Sequence, residues 1–309
     1  MFGERRPIAA LSCATLSCAL LLVAGRAGAQ ACCAASTALT PGRLAVHEDA
    51  LLGMQLRAND VIGSYDVDGR YAASPPRTSE VDFEEDLFAT VRVAGRGQAA
   101  VLFPIVQQLR TAREVHDGGG GVGDVNVSGR WDFTLAGESF TLPGIAALIG
   151  ATLPTGTPPE RATHRLATDA TGVGAVQVHV GLALEQTFGN VQLNVTALVA
   201  KRASRSVSGV HETLGTQGTF LAAVGYAFDN DAALALVGSY TLEANATIEG
   251  AEASGSGRRF VTLALAAAWP FNDALRVQGS LFGNPPISQL GANQPAGVGL
   301  TLSVVRAWS

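Results

Sequence analysis

The stretch VQVHVGLALEQTFGNVQLNVTALVAKR, residues 176–202, contains two long alternating segments separated by a short turn. The apolar register of the first segment consists of Val176, Val178, Val180, Leu182 and Leu184. After Gly189 and Asn190 the same alternation restarts and continues to residue 202. Strict alternation with a period of two is typical of a β-strand whose two faces meet different environments. The stretch therefore predicts a long β-hairpin with one apolar face and one polar face.

Twelve segments of this kind are predicted along the chain, and most of them exceed the roughly 5–6 residues of an ordinary strand. They are 50–65, 82–94, 98–111, 123–135, 142–153, 172–188, 191–203, 216–228, 232–246, 258–270, 274–283 and 296–308. The alternation is weaker in 50–65, 98–111 and 232–246. Pro104 lies in the second of these weaker segments, and it predicts a bend, a bulge or a wrong assignment, because proline cannot donate a ladder hydrogen bond.

The connections between these segments alternate between short and long. Five short ones contain glycine, asparagine or aspartate turns, around 95–97, 137–139, 189–190, 229–231 and 272–273. Six long ones hold most of the charges, prolines and glycine runs, at 66–81, 112–122, 154–171, 204–215, 247–257 and 284–295. The pattern therefore predicts a series of hairpins, with tight turns at one end of the strands and long loops at the other end.

An even number of antiparallel strands with this alternation of connections is typical of an all-β, up-and-down transmembrane β-barrel. The apolar face then meets lipid, the polar face meets the lumen, and closure of the sheet pairs every backbone group. Short turns and both termini are predicted on the periplasmic side, and long loops on the extracellular side. The alternative is a soluble β-sandwich or solenoid with charged outer faces, and the small number of charged residues on the strands disfavours it.

Aromatic residues cluster near the ends of the predicted strands, as in the interfacial girdles of membrane barrels. They are Trp131, Phe133, Phe188, Phe220, Tyr226, Phe228, Trp269, Phe271 and Trp308. The last of them is the penultimate residue, which is similar to the C-terminal signal of bacterial outer-membrane barrels.

The N-terminus has the features of an export signal. Two arginines precede the apolar run IAALSCATLSCALLLVAG, and small residues follow it. The sequence predicts a signal peptide over 1–31, a short periplasmic segment over 32–49 and an outer-membrane barrel over 50–309. Cys32 and Cys33 are adjacent; a lipid anchor at Cys32, an oxidised vicinal pair and a metal site are the alternatives, and the vicinal pair is favoured.

Composition and motifs argue against several other classes of protein. The net charge of −5 gives no reason to expect a nucleic-acid partner. The run DGGGGVGD, 117–124, lacks the lysine of a phosphate-binding loop and is interpreted as a flexible loop that leads into a strand. No two histidines have the spacing of metal ligands, and no cofactor or metal site is predicted. A structural role is favoured over a catalytic one for His179, which the register places in the lumen.

The polar register of the strands supplies the candidate lumen-lining residues. They are Arg57, Arg92, Asn126, Arg130, Asp132, Gln177, His179, Glu185, Gln192, Asn194, Arg276 and Gln278. These side chains line a path for solute if the lumen is open, or pair across the lumen if it is plugged. A barrel of this size permits either arrangement.

Three motifs, GVGDVNVSGRWDF (121–133), ALIGATLPTGT (147–157) and ATGVGAVQVHVGLALEQTFGNVQLNVTA (170–197), resemble outer-membrane proteins labelled as transporters of the phenol meta-cleavage (MetA) pathway. The landmarks of the resemblance are Gly121, Gly123, Asp124, Leu153, Pro154, Thr155, Gly156, Thr171 and Gly172. The resemblance implies a Gram-negative outer-membrane barrel that passes small solutes, hydrophobic or aromatic compounds among them, and it carries over no catalytic residue.

The predicted function is passive diffusion of small solutes through a polar lumen, gated from outside by loops such as 112–122 and 154–171. The predicted partners are outer-membrane lipid, the solute and, during biogenesis, the barrel-assembly machinery. A plugged structural or surface-interaction barrel is one alternative. A lipid-acting barrel enzyme is another, and it would require a Ser–His pair on the lipid face, where the sequence offers none.

Overall fold

The computed structural model describes residues 42–139 and 141–309, so the predicted signal peptide and the Cys32-Cys33 pair lie outside the described part. Twelve long strands form the wall of the barrel. They are β1 (Ala50–Tyr65), β2 (Thr78–Val93), β3 (Gly97–Ala112), β4 (Val125–Thr134), β5 (Gly144–Leu153), β6 (Gln177–Phe188), β7 (Val191–Arg202), β8 (Gln217–Ala227), β9 (Ala233–Glu243), β10 (Arg258–Pro270), β11 (Leu275–Gly283) and β12 (Gln294–Trp308).

Each strand pairs antiparallel with the next, and the last strand closes the sheet on the first. The register of β1 and β12 runs from Ala50 opposite Trp308 to Tyr65 opposite Gln294. The other neighbours are β1 and β2, and then each consecutive pair through β11 and β12. Within the described residues, no helix is long and apolar enough to cross a membrane. The predicted twelve-strand, up-and-down barrel is confirmed.

The distribution of side chains is the reverse of that in a soluble protein. On β6, the outward-facing Leu182 is 56% exposed, whereas the inward-facing Glu185 is 3% exposed. The same alternation continues on β7, where Val199 is exposed and Asn194 is buried. A face of this kind is stable only against lipid, because water would not solvate such a large apolar surface favourably. The end with the short turns is called the periplasmic end here, as is usual for outer-membrane barrels.

The outward aromatic residues gather mostly at that periplasmic end. Trp131, Tyr226, Trp269 and Trp308 all lie within the last residues of strands that end at the short turns or at the C-terminus. Phe220 is the exception among the predicted girdle residues, since it lies near the extracellular start of β8. The described residues therefore form one dense periplasmic girdle, rather than two equal ones.

Pro104 lies within a continuous strand, and the irregularity that it predicted occurs in the partner strand. β3 pairs first with a short strand, Val115–Val122, and then with β4. The carbonyl oxygen of Pro104 accepts a hydrogen bond from the backbone N–H of Gly123 at 2.9 Å, at the break between these two partners. In an antiparallel strand the N–H and C=O of one residue point the same way, so the missing N–H of Pro104 faces this break.

The glycine run was interpreted wrongly as a flexible loop. Residues 118–121 belong to the short strand Val115–Val122, which extends the barrel wall above β4 as a hairpin with the upper half of β3. Glycine gives no alternation signal, and the strand is held by its backbone pairs. The predicted segment 172–188 also begins too early, because residues before Gln177 belong to a folded loop.

Candidate solute pathway

The chain enters the lumen from the periplasmic end before it forms β1. Residues 42–49 are called the plug segment here; Leu44, Ala45 and Glu48 are buried against the inner face of the barrel, whereas Val46, His47 and Asp49 are exposed. Leu44 packs against Leu51, Phe88 and Val305 on the inner face of the wall. The side chain of Thr90 donates to the carbonyl of Gly42, and the backbone N–H of Leu44 donates to Oε1 of Gln98 at 3.1 Å. The plug segment is therefore bonded to the barrel wall along its length.

Two arginines of the wall anchor the lower part of the plug segment. Arg276 forms an ion pair with Glu48, and both side chains are buried. Arg92 donates from Nε to the carbonyl of Glu48 at 2.9 Å and from Nη2 to the carbonyl of Ala45 at 2.6 Å. Both arginines were predicted to face the lumen, and in the structure their partner is the plug segment.

Glu185 is the centre of a second network at the upper end of the plug segment. Its carboxylate accepts from Nη1 of Arg43 at 2.7 Å and from Nδ2 of Asn194 at 3.0 Å, and it lies 3.1 Å from Nη2 of Arg130. Arg130 also pairs with Asp132 at 2.7 Å. Buried charges are stable only when they are paired, because desolvation of an isolated ion is costly. This network joins the plug segment to β4, β6 and β7.

A cavity of about 110 Å³ lies next to this network, inside the barrel. Its lining mixes charged or polar side chains, such as Arg43, Arg130 and Asn194, with the apolar side chains of Leu198 and Leu221. His179 also borders the cavity, and its ring packs against Gly150, where a Cβ atom would come within 2.4 Å of the ring. The lumen therefore offers a small amphipathic chamber.

A third ion cluster lies nearer the extracellular end. Glu243 pairs with Arg202 at 2.8 Å and with Arg258 at 2.7 Å, and Nε of Arg202 donates to Oε1 of Gln177 at 2.9 Å. Below this cluster, the inner face of β8, β9 and β10 is lined by small apolar side chains such as Ala235 and Ala266. One wall of the lumen is thus largely apolar, whereas β2, β4, β6 and β7 carry most of the polar groups.

A long loop covers the inner face of the barrel at the extracellular end. Residues 156–173, called the lid loop here, pack against the hairpin of β3 and Val115–Val122. The side chain of Thr168 is fully buried, and a Cβ atom on Gly119 would lie 2.7 Å from its hydroxyl. Arg110 donates to the carbonyl of Leu166 at 2.9 Å, and Gln108 donates to that of Ala170 at 3.2 Å. The lid loop is therefore held by inward-facing side chains of β3.

One carboxylate closes the neck of the lid loop. Asp124 accepts from the backbone N–H of Gly156 on Oδ1 at 2.9 Å and from that of Val173 on Oδ2 at 2.7 Å. Gly156 and Gly172 pack so closely that a Cβ on the first would lie 2.8 Å from the Cα of the second. Asp124 thereby holds the two ends of the lid loop, Gly156 and Val173, close together.

The landmark residues of the three sequence motifs converge at this neck. Thr155 donates to the carbonyl of Gly123 at 2.7 Å, and Thr171 donates to that of Val122 at 2.7 Å. Asp124, Gly156 and Gly172 complete the cluster, and Gly121 and Pro154 flank it in sequence. The motifs thus share one place in the fold, where they tie the break beside Pro104 to the two ends of the lid loop.

Two acidic side chains stabilise the conformation of the lid loop. Asp169 accepts from the backbone N–H and hydroxyl of Thr163, and these bonds lower the pKa of Asp169 to about 2. Asp117 accepts from the backbone N–H of Leu166 at 2.8 Å, which lowers the pKa of that carboxyl, and His164 adds to the shift. Both carboxylates are ionised at neutral pH and hold backbone donors of the loop.

All of the candidate lumen-lining residues lie on the inner face of the barrel. They are Arg57, Arg92, Asn126, Arg130, Asp132, Gln177, His179, Glu185, Gln192, Asn194, Arg276 and Gln278. Sequence reasoning missed Arg43 and Glu48, which precede the first strand and carry no periodic signal. It also missed Arg202 and Glu243, although Arg202 shares the register of Gln192 and Asn194. Extending the inner-face registers of β7 and β9 to the ends of those strands predicts Arg202 and Glu243, respectively.

No protein-family model and no curated protein sequence matches the chain. Among solved structures, the COG4313 outer membrane channel from Pseudomonas putida is similar, with a TM-score of 0.71 and 15% identity over 86% of this chain and 97% of that chain. The translocator domain of the autotransporter NalP from Neisseria meningitidis is similar with a TM-score of 0.50 and 10% identity over 89% of this chain and 92% of that chain. Identities this low establish the fold alone, and the MetA pathway label stays a prediction. The chain has the fold of a bacterial outer-membrane β-barrel.

Proposed function

We propose that this chain is an outer-membrane channel for small solutes, described here in a closed form. It would be exported through its N-terminal signal, inserted by the barrel-assembly machinery and held in outer-membrane lipid. The observation that carries the proposal is the amphipathic cavity, bordered by Arg43, Arg130 and Asn194, inside a closed barrel. The similar barrel from Pseudomonas putida is described as a channel. The proposal assigns no catalytic residue and no cofactor.

The size of the cavity supports a closed form. Its volume of about 110 Å³ is below the roughly 150 Å³ of an engineered apolar cavity that holds benzene. A solute with even one aromatic ring would therefore need the plug segment or the lid loop to move. We propose passive diffusion that is gated at both ends, and small hydrophobic or aromatic compounds as the solutes that suit a half-apolar lumen.

A planar-bilayer experiment tests the proposal. The double variant Arg43→Ala and Glu48→Gln removes the charged anchors of the plug segment but leaves the strands intact. We expect a larger single-channel conductance, or more frequent opening, than in the wild type. Arg306→Ala is the matched control, because Arg306 is an exposed, outward-facing arginine beside Trp308 at the same end of the barrel. Its conductance should equal that of the wild type.

A second candidate function is a non-conducting barrel with a structural or surface-interaction role. The three lumenal ion clusters favour it, since they cross-link the interior in the way a permanent plug would. If the wild type and the double variant both fail to conduct, while both show heat-modifiable migration on gels as folded barrels, the channel proposal is wrong and this second function is supported.

A further inference from the structure

The inner face of β2 carries an unusual row of carboxylates. Glu80, Asp82, Glu84 and Asp86 occupy every second position, so all of them face the lumen. Glu85 has the opposite orientation, toward lipid. Alternate residues of a strand are about 6.5–7 Å apart, so each carboxylate is near the next without overlapping it. The row runs from below the lid loop, where Glu80 meets Arg110, toward Thr90, which binds the plug segment.

Two arginines neutralise only part of this row. Arg110 lies 2.9 Å from Glu80, and Arg57 lies 3.6 Å from Glu84. The guanidinium group of Arg57 also stacks over the ring of Phe282, at 4.8 Å from its centroid. Among the residues that the structure describes, no arginine or lysine forms an ion pair with Asp82 or Asp86. Two carboxyl groups of the row therefore lack an ion-pair partner in the described part of the barrel, and their nearest cations are the arginines that pair with Glu80 and Glu84.

Buried oxygen atoms without donors mark the same two residues. Asp86 is 4% exposed, and only its Oδ2 accepts a hydrogen bond, from Nε2 of Gln55 at 3.3 Å. Oδ1 of Asp86, Oδ1 of Asp82 and Oε1 of Gln108 are buried with no donor in the described structure. Gln108 stands directly opposite Asp82 in the pairing of β2 with β3. Leaving such oxygens dry and unpaired is costly, and it is worse for charged groups.

We propose that the row from Asp82 to Asp86 is a binding track for monovalent cations. Carboxylate and amide oxygens are the ligands that hard cations prefer, and here Oδ1 of Asp82, Oδ1 of Asp86 and Oε1 of Gln108 are buried without a donor in the described structure. The spacing of the carboxylates suits single ions held in succession rather than one chelated metal ion. This site is additional to the proposed solute pathway, and it does not depend on whether the barrel conducts, since it is already formed in the closed barrel.

Rubidium ions provide a direct probe of the track. Crystals of the full barrel are soaked in RbCl, and anomalous difference maps are compared for the wild type, the double variant Asp82→Asn and Asp86→Asn, and the control Glu85→Gln. The control removes a carboxylate from the same strand on the lipid side. We expect peaks between Asp82 and Asp86 in the wild type and the control, and their loss in the double variant.

A solution measurement covers the case in which a variant does not crystallise. The melting temperature of the detergent-solubilised protein is measured in RbCl and, at equal ionic strength, in the chloride of the bulky cation N-methylglucamine. Bound rubidium should stabilise the wild type and Glu85→Gln by mass action, but not the double variant. The absence of both a peak and stabilisation in the wild type would mean that protons satisfy these oxygens, and the proposal would be overturned. Equal stabilisation of the double variant would overturn it as well.

Discussion

The two ends of the barrel are closed by different chemistry. The plug segment is held at the periplasmic end by ion pairs to Glu48 and Glu185, each only 3% exposed. The lid loop is held at the other end mainly through its backbone N–H and C=O groups, which Gln108, Arg110 and Asp124 bind at partly exposed sites. Breaking a buried ion pair leaves a charge without compensation, whereas exposed hydrogen bonds are readily exchanged for water. The comparison predicts a persistent plug segment and a more easily opened lid loop.

The largest effect is expected from Glu185→Gln. The substitution removes the carboxylate that Arg43 and Arg130 share, and it should lower the free energy of unfolding by about 3–5 kcal/mol. Urea unfolding in lipid vesicles, followed by tryptophan fluorescence, measures the change.

Glu138→Gln is the matched control for this variant. Glu138 pairs with Arg96 in a periplasmic turn, where the two side chains are 43% and 45% exposed, so its loss should cost no more than about 1 kcal/mol. If both variants lose the same stability, burial of the charges is not what makes the plug segment persistent.

A smaller and more local effect is expected from Asp124→Asn. The amide keeps one acceptor oxygen, so one of the two N–H groups at the neck of the lid loop loses its partner. A hydrogen bond to a charged group contributes about 1.5–3 kcal/mol, and local opening should become easier by a similar amount. Hydrogen exchange, followed by mass spectrometry, should show faster exchange over residues 156–173 and unchanged exchange in the plug segment.

Asp229→Asn, in an exposed periplasmic turn, is the control for this experiment. It should leave exchange in the lid loop unchanged. Faster exchange in the plug segment of Asp124→Asn would show that the two closures are coupled, which would contradict their independence.

The strands could be predicted from the sequence because lipid and lumen each impose a rule on alternate residues. The hairpin of β6 and β7 obeys that rule over its whole length, and its inner-face residues follow from the register alone. The same rule assigns Arg202 and the carboxylates of β2 to the lumen. Periodicity therefore predicts most of the inner face of the wall, including its ion pairs near the strand ends.

The two closures could not be predicted, because neither has a periodic pattern. The plug segment is recognised by two ion pairs, Arg43 with Glu185 and Glu48 with Arg276. Each pair joins residues that are far apart in sequence. The glycines at 118–121 have no side chains and therefore show no alternation of polar and apolar residues, although they lie in a strand. The motif around Asp124 did mark a structured place, but only the folded chain shows that it fastens the neck of the lid loop.

The smallest effect at neutral pH is expected from Asp169→Asn, and acid pH separates the lid loop from the plug segment most clearly. The folded pKa of Asp169 is about 2, below the value near 3.9 of a free aspartate, so ionised Asp169 stabilises the closed lid loop. That contribution is fully present above pH of about 4 and is lost as the pH falls through the folded pKa. Asp117 acts in the same direction, because its pKa is also lowered. Pepsin digestion of both proteins at each of a series of acidic pH values should therefore cleave the lid loop of Asp169→Asn faster than that of the wild type near pH 4, and the ratio of the two rates should fall toward one as the pH approaches about 2. A ratio of one at every pH in this range would show that ionised Asp169 does not hold the lid loop closed.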